Sequence, residues 1–124
     1  MQFNIDSHSE FKEIFTKLRE VFLSYPQIKE KRNAKQTAYY DACSAIGFLR
    51  PHNDGMSYCL SLANGHTLQK NYPMLKGNGK IARHLYFKCS DDIDVPFIRE
   101  IIEESLVLNI EKSERKKLKK KLRS

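Results

Sequence analysis

The basic, glycine-bent segment from Lys76 to Arg83 is the stretch of this 124-residue chain whose side chains and spacing best suit a ligand. Gly77 and Gly79 permit backbone conformations in which successive N–H groups converge, and Lys76, Lys80 and Arg83 add positive charge. Together they suit a phosphate or a carboxylate. The segment is not a P-loop, which needs Ser or Thr after the glycine-lysine pair and a helix beyond it. Here Gly79-Lys80 is followed by Ile81 and then by a strand pattern. A tight turn with solvated lysines is the alternative use of the same residues.

A second set of reactive side chains is spread along the chain. Cys59, His84 and Tyr86, with His66 as a further member, fall on the polar side of two alternating segments, where they can share one sheet face. Such a group suits a borderline metal, acid–base work or plain structural hydrogen bonding. No nucleophile-elbow sequence surrounds any serine or cysteine, so covalent catalysis has no local support. Asp91, Asp92 and Asp94 form the densest carboxylate group, suited either to a hard cation or to capping the helix that follows.

Charge and cysteine content narrow the classes. The formal charge of +7 resides in residues 112 to 124, where eight basic residues face one glutamate. The other 111 residues carry 14 basic and 14 acidic groups, which is 22 less eight and 15 less one. The body is therefore no polyanion binder by composition, whereas the tail can contact nucleic acid or an acidic surface through counterion release. No aromatic is interleaved there for base stacking, so sequence-specific recognition is not expected. Three cysteines, Cys43, Cys59 and Cys89, without a CxxC spacing read as reduced thiols, not a disulfide framework or a zinc site. With no basic-then-apolar leader and no long apolar run, the expectation is a cytoplasmic protein without a membrane span.

The elements that must position these residues follow from periodicity. Ser7 to Glu10 matches a capping box, and Phe11, Ile14, Phe15, Leu18, Val21, Phe22 and Tyr25 then form one helical stripe ended by Pro26. Lys29 to Lys35 reads as a charged connector. Thr37 to Leu49 predicts one strand or two, with Gly47 as a bulge, and residues 51 to 55 predict a hairpin turn. Met56 to Leu62 alternates cleanly, with Met56, Tyr58, Leu60 and Leu62 on one face and Ser57, Cys59 and Ser61 on the other. After irregular backbone, Arg83 to Lys88 is again a strand, and a helix opens at Asp94 with Phe97, Ile98, Ile101, Ile102, Ser105 and Leu108 inward. The expected architecture is α+β: an N-terminal helix, a curved antiparallel sheet of three to five strands, and a C-terminal helix on the same sheet face, leaving the other face open. Residues 1 to 110 make one domain and 111 to 124 a lysine-rich tail.

The segment from Lys76 to Asp94 and the apolar helix through Leu106-Val107-Leu108-Asn109 resemble the YdhG-like family of small bacterial domains of unknown function. Tyr39-Tyr40, Ile46-Gly47-Phe48 and Gly65-His66-Thr67-Leu68 stand in the corresponding order, so the likeness runs over about residues 8 to 109. It implies the same α+β fold. Some members are described as frataxin-like intracellular iron chaperones, which would make iron a cargo here; Asp91, Asp92, Asp94, Glu103 and Glu104 are the carboxylates available for it. The residues themselves point first to a non-enzymatic module that binds a small anion or a partner protein through the open face and the Lys76 to Lys80 loop, with no resident cofactor.

Overall fold

The computed structural model describes residues 9 to 123; the capping box at Ser7 lies outside them. Helix α1 (Ser9–Leu23) buries Ile14, Phe15, Leu18, Val21 and Phe22, the stripe its spacing predicts. It stops where Pro26 cannot continue it, and the Ser24 hydroxyl donates to the Val21 carbonyl at 2.6 Å.

Five strands follow as an antiparallel meander: β1 (Lys29–Arg32), β2 (Thr37–Tyr40), β3 (Ala45–Pro51), β4 (Tyr58–Leu62) and β5 (Arg83–Phe87), adjacent in that order. The charged connector expected at Lys29 to Lys35 is instead strand β1 and its hairpin turn. Lysine and glutamate are poor strand formers, and what makes this a strand is pairing with β2, fixed by Asn33. Its Oδ1 accepts from the N–H groups of Lys35 (2.7 Å) and Gln36 (2.9 Å). Charge on a sheet edge also discourages pairing with another chain. Asp41 and Asp54 close the next two turns in the same way, by accepting the N–H groups two and three residues on. Met56 belongs to the second of these turns and is exposed, so it does not share the packed face with Tyr58.

The register shift in β3 lies one residue before the glycine expected to cause it. Tyr39 pairs with Gly47 and Tyr40 with Ala45, which leaves Ile46 as the extra residue, free to turn into the core, where it is completely buried. Gly47 has another reason to be glycine. A Cβ there would stand 3.2 Å from Leu60 Cδ1 and from the Ser61 carbonyl, and 3.4 Å from the Phe22 ring, which stacks on neighbouring Tyr39 at 4.2 Å.

One face of the sheet, carrying Tyr39, Leu49, Tyr58, Leu60, Leu62 and Phe87, packs against α1 and against Ile98, Ile101, Ile102 and Leu106 of the C-terminal helix. That helix follows a short turn, α2 (Gly65–Leu68), and the long excursion from Gln69 to Ala82. It is α3 (Val95–Arg123), capped by Asp94, whose Oδ1 accepts the Phe97 N–H at 3.2 Å. No break separates body from tail at residue 110: α3 continues as helix to Arg123. Among the described residues no helix is long and apolar enough to cross a membrane.

Candidate functional site

The sheet face turned away from the long helices carries the side chains of the other strand parity. Its central rows follow from register: Arg50, Cys59 and Tyr86 stand opposite one another on β3, β4 and β5, and Phe48, Ser61 and His84 form the next row. Cys59, His84 and Tyr86 are thus brought together as the alternation predicts. Ser61 falls on this face by the same alternation, whereas Arg50 was not foreseen, although the turn after Pro51, which sets Pro51 against Tyr58, already carried the signal for it.

These groups form a chain of short polar contacts. Arg50 Nη1 donates to Ser61 Oγ at 2.7 Å, and Ser61 Oγ lies 2.7 Å from His84 Nδ1. Cys59 Sγ is 3.5 Å from the same hydroxyl. His52 stacks edge-on against Tyr86 with ring centroids 4.8 Å apart, closing the cluster on the turn side. Burial, then the charges of Arg50, Arg83 and His52, hold the His84 imidazole below its ordinary value. A neutral ring can accept the Ser61 proton at Nδ1 while Arg50 uses a lone pair of the same oxygen, which places the ring proton on Nε2. Burial pushes the Cys59 thiol up, against smaller opposing effects of Ser61 and Arg50, so it is a protonated, packed thiol and not a nucleophile.

A serine hydroxyl beside a neutral histidine is the pairing of a base-activated nucleophile. Here Ser61 is 3% exposed, and Arg50 occupies a lone pair with which the oxygen would attack. The hydroxyl orients Arg50 and His84. Among the described residues no carboxylate lies within ion-pair distance of Arg50, in contrast to Arg19 and Arg32, which both pair with Glu30. Among the described residues the guanidinium charge on this half-buried surface therefore has no ion-pair partner.

The depressed His84 has a measurable consequence for folding. An unfolded histidine takes up its proton near 6.5 and folded His84 only at lower pH, so stability is complete above 6.5 and is lost as pH falls from there through the folded value. Thermal melts from pH 7 to 5 are expected to show a falling midpoint that is shallower in His84→Gln; an unchanged slope would mean other groups control it.

The glycine-lysine loop is placed differently from the expected anion cradle. Arg83 is 6% exposed and its Nε and Nη1 donors are spent internally: Nε on Gln69 Oε1 (2.9 Å), Nη1 on the carbonyls of Gly79 (2.6 Å) and Ala82 (2.8 Å). It fastens the loop and leaves the ligand set, because a buried guanidinium must satisfy its N–H groups locally. Lys76 uses its N–H and carbonyl to pair with His84. Gly77, at φ +126°, lets the chain pass over that ring, since a Cβ would lie 3.2 Å from His84 Cδ2. Gly79 has open space around it. Lys80 points to a separate 140 Å³ recess with Asn64, His66, Thr67 and Lys112, so His66 belongs there and not to the open face.

That recess is built on a buried polar relay that sequence reading missed. Asn109 Nδ2 donates to Asp41 Oδ2 (3.1 Å), its Oδ1 accepts from Asn64 Nδ2 (3.0 Å), and Lys112 Nζ donates to Asn64 Oδ1. The helical spacing of Asn109 behind Ile102 and Ser105 was its only trace in the sequence.

The carboxylates do not assemble into a metal site. Asp92 accepts the N–H groups of Lys88 and Cys89, Asp94 caps α3, and Glu103 accepts from the Tyr25 hydroxyl at 2.7 Å. Among the described residues no group of three His, Cys, Asp or Glu side chains is close enough to hold an ion. A wider groove of 650 Å³ along α1 mixes Lys12 and Lys17 with Glu13 and Glu20 and offers no single charge to a ligand.

No family model, curated protein or solved structure matches this chain. The functional reading therefore rests on the geometry alone.

Proposed function

We propose that the protein is a non-enzymatic binding module whose open sheet face takes a small anionic ligand, one bearing a phosphate or carboxylate group, on Arg50. The supporting observation is the Arg50–Ser61–His84 chain: a half-buried guanidinium without a carboxylate partner among the described residues, held in place by a buried hydroxyl. Arginine presents several N–H donors in a planar fork and suits such oxyanions. Tyr86 and His52 give the site an aromatic wall on one side. Lys76 stands at the opposite border, where its backbone pairs with His84. Iron as cargo would need a different donor set from the one this face presents.

The test follows the His84 ring by NMR titration with inorganic phosphate as the probe. An anion beside Arg50 stabilises the protonated ring, so phosphate is expected to raise the His84 pKa saturably. Arg50→Ala should raise it without phosphate, by removing a neighbouring positive charge, and should abolish the phosphate-dependent rise. A His84 titration indifferent to phosphate in the parent protein would overturn the proposal.

A further inference from the structure

The helical continuation of α3 organises the tail charges in a way that composition alone does not. At 100° per residue, Lys112, Lys116, Lys119, Lys120 and Arg123 fall within about 100° of one another and form one stripe along the helix. The two acidic residues of this stretch lie off it: Glu111 is on another side, and Glu114 is paired with Lys117 at 3.6 Å. Leu118 and Leu122 lie on the side away from the stripe. From Glu114 onward every described residue is exposed.

The stripe does not end with the tail. Lys112, its first member, is tied to Asn64, and the recess beside that contact is lined by His66, Thr67 and Lys80 from α2 and the glycine-lysine loop. Two segments far apart in sequence thus feed one surface. We infer that Lys80, the Asn64 recess and the lysine stripe of α3 form a single cationic track that binds the phosphate backbone of a nucleic acid.

Charge complementarity and length select this partner. From Lys112 to Arg123 the helix rises about 16 Å, matching about five successive phosphates of one strand. A lipid surface is the less favoured occupant, because two leucines supply little apolar area and lie away from the stripe, with a single cation, Arg115, beside them. The absence of aromatic residues from the stripe implies backbone contacts without sequence preference.

The experiment is fluorescence anisotropy of the full chain with a labelled DNA duplex, a single strand of the same sequence and an RNA duplex, at increasing potassium chloride. Six contacts on the DNA duplex predict a slope of log K against log salt of about −5. Lys80→Gln and Lys116→Gln should each make it shallower by about one, while Lys12→Gln on α1 leaves it unchanged. The three nucleic acids, compared at one salt concentration, report which form the track prefers. Lys80→Gln carries the test, since a loose lysine tail would not sense it. An unchanged slope in that variant would overturn the track, as would failure of the parent protein to retain any of the three at low salt. So would retention only by vesicles of anionic phospholipid. Circular dichroism of each variant confirms the fold.

Discussion

Gly65→Ala is expected to abolish folding at ordinary temperatures, or to cost more than about 3 kcal/mol where a folded fraction survives. A Cβ at Gly65 would stand 2.2 Å from the Arg83 nitrogen, 2.5 Å from its Cβ and 2.8 Å from its Cα. Two of these three atoms are backbone, in the strand that ends the sheet, and they cannot swing aside as a side-chain tip would. The requirement is space: α2 begins where β5 passes, and the His66 N–H donates to the Ile81 carbonyl at 2.8 Å across the same junction. Urea unfolding of Gly65→Ala beside Gly79→Ala, where a Cβ meets nothing within 4 Å, checks this. Similar midpoints would show that α2 can move away from β5.

Phe22→Ala should be nearly as damaging, at about 3–5 kcal/mol, the usual cost of deleting a buried phenyl ring. Phe22 is completely buried. Its ring lies parallel to Tyr39, with an interplanar angle of 6°, and fills the space that Gly47 leaves without a side chain. Removing it empties two contacts at once, on adjacent strands. It also exposes the flank of Tyr39, whose hydroxyl donates to Glu30 at 2.9 Å, so the Arg19–Glu30 ion pair should loosen with it. For a domain whose total stability is about 5–15 kcal/mol this approaches the threshold of folding. Denaturant midpoints measure it; a loss below about 1 kcal/mol would mean that neighbouring side chains collapse into the gap.

Much of the fold was legible because the apolar stripes of α1 and α3 and the alternation of β4 and β5 each have one period and one buried side. Cys59, His84 and Tyr86 could be grouped for the same reason: parity alone put them on one face. Strand β1 was hidden because its four residues are all charged, and only their partners on β2 and α1 give them a role. The inward turn of Arg83 was not legible because nothing local shows it for an arginine after a glycine loop; the decisive facts are a carbonyl four residues back and an amide at Gln69. The contact of Arg50 with Ser61 becomes visible only once strand register is known, and the Asn64–Asn109 relay spans 45 residues of sequence.

The inward arginine also governs how the excursion before β5 can come loose. Between Gln69 and Ala82 the chain has no helix or regular strand, and one guanidinium reaches its start and its end through Gln69, Gly79 and Ala82. Releasing that group frees both ends together and leaves three polar groups without their partner. The middle of the segment stays anchored by buried Leu75 and by the Lys76–His84 pairing, so the two ends loosen together around that anchor and Lys80 moves with the second of them.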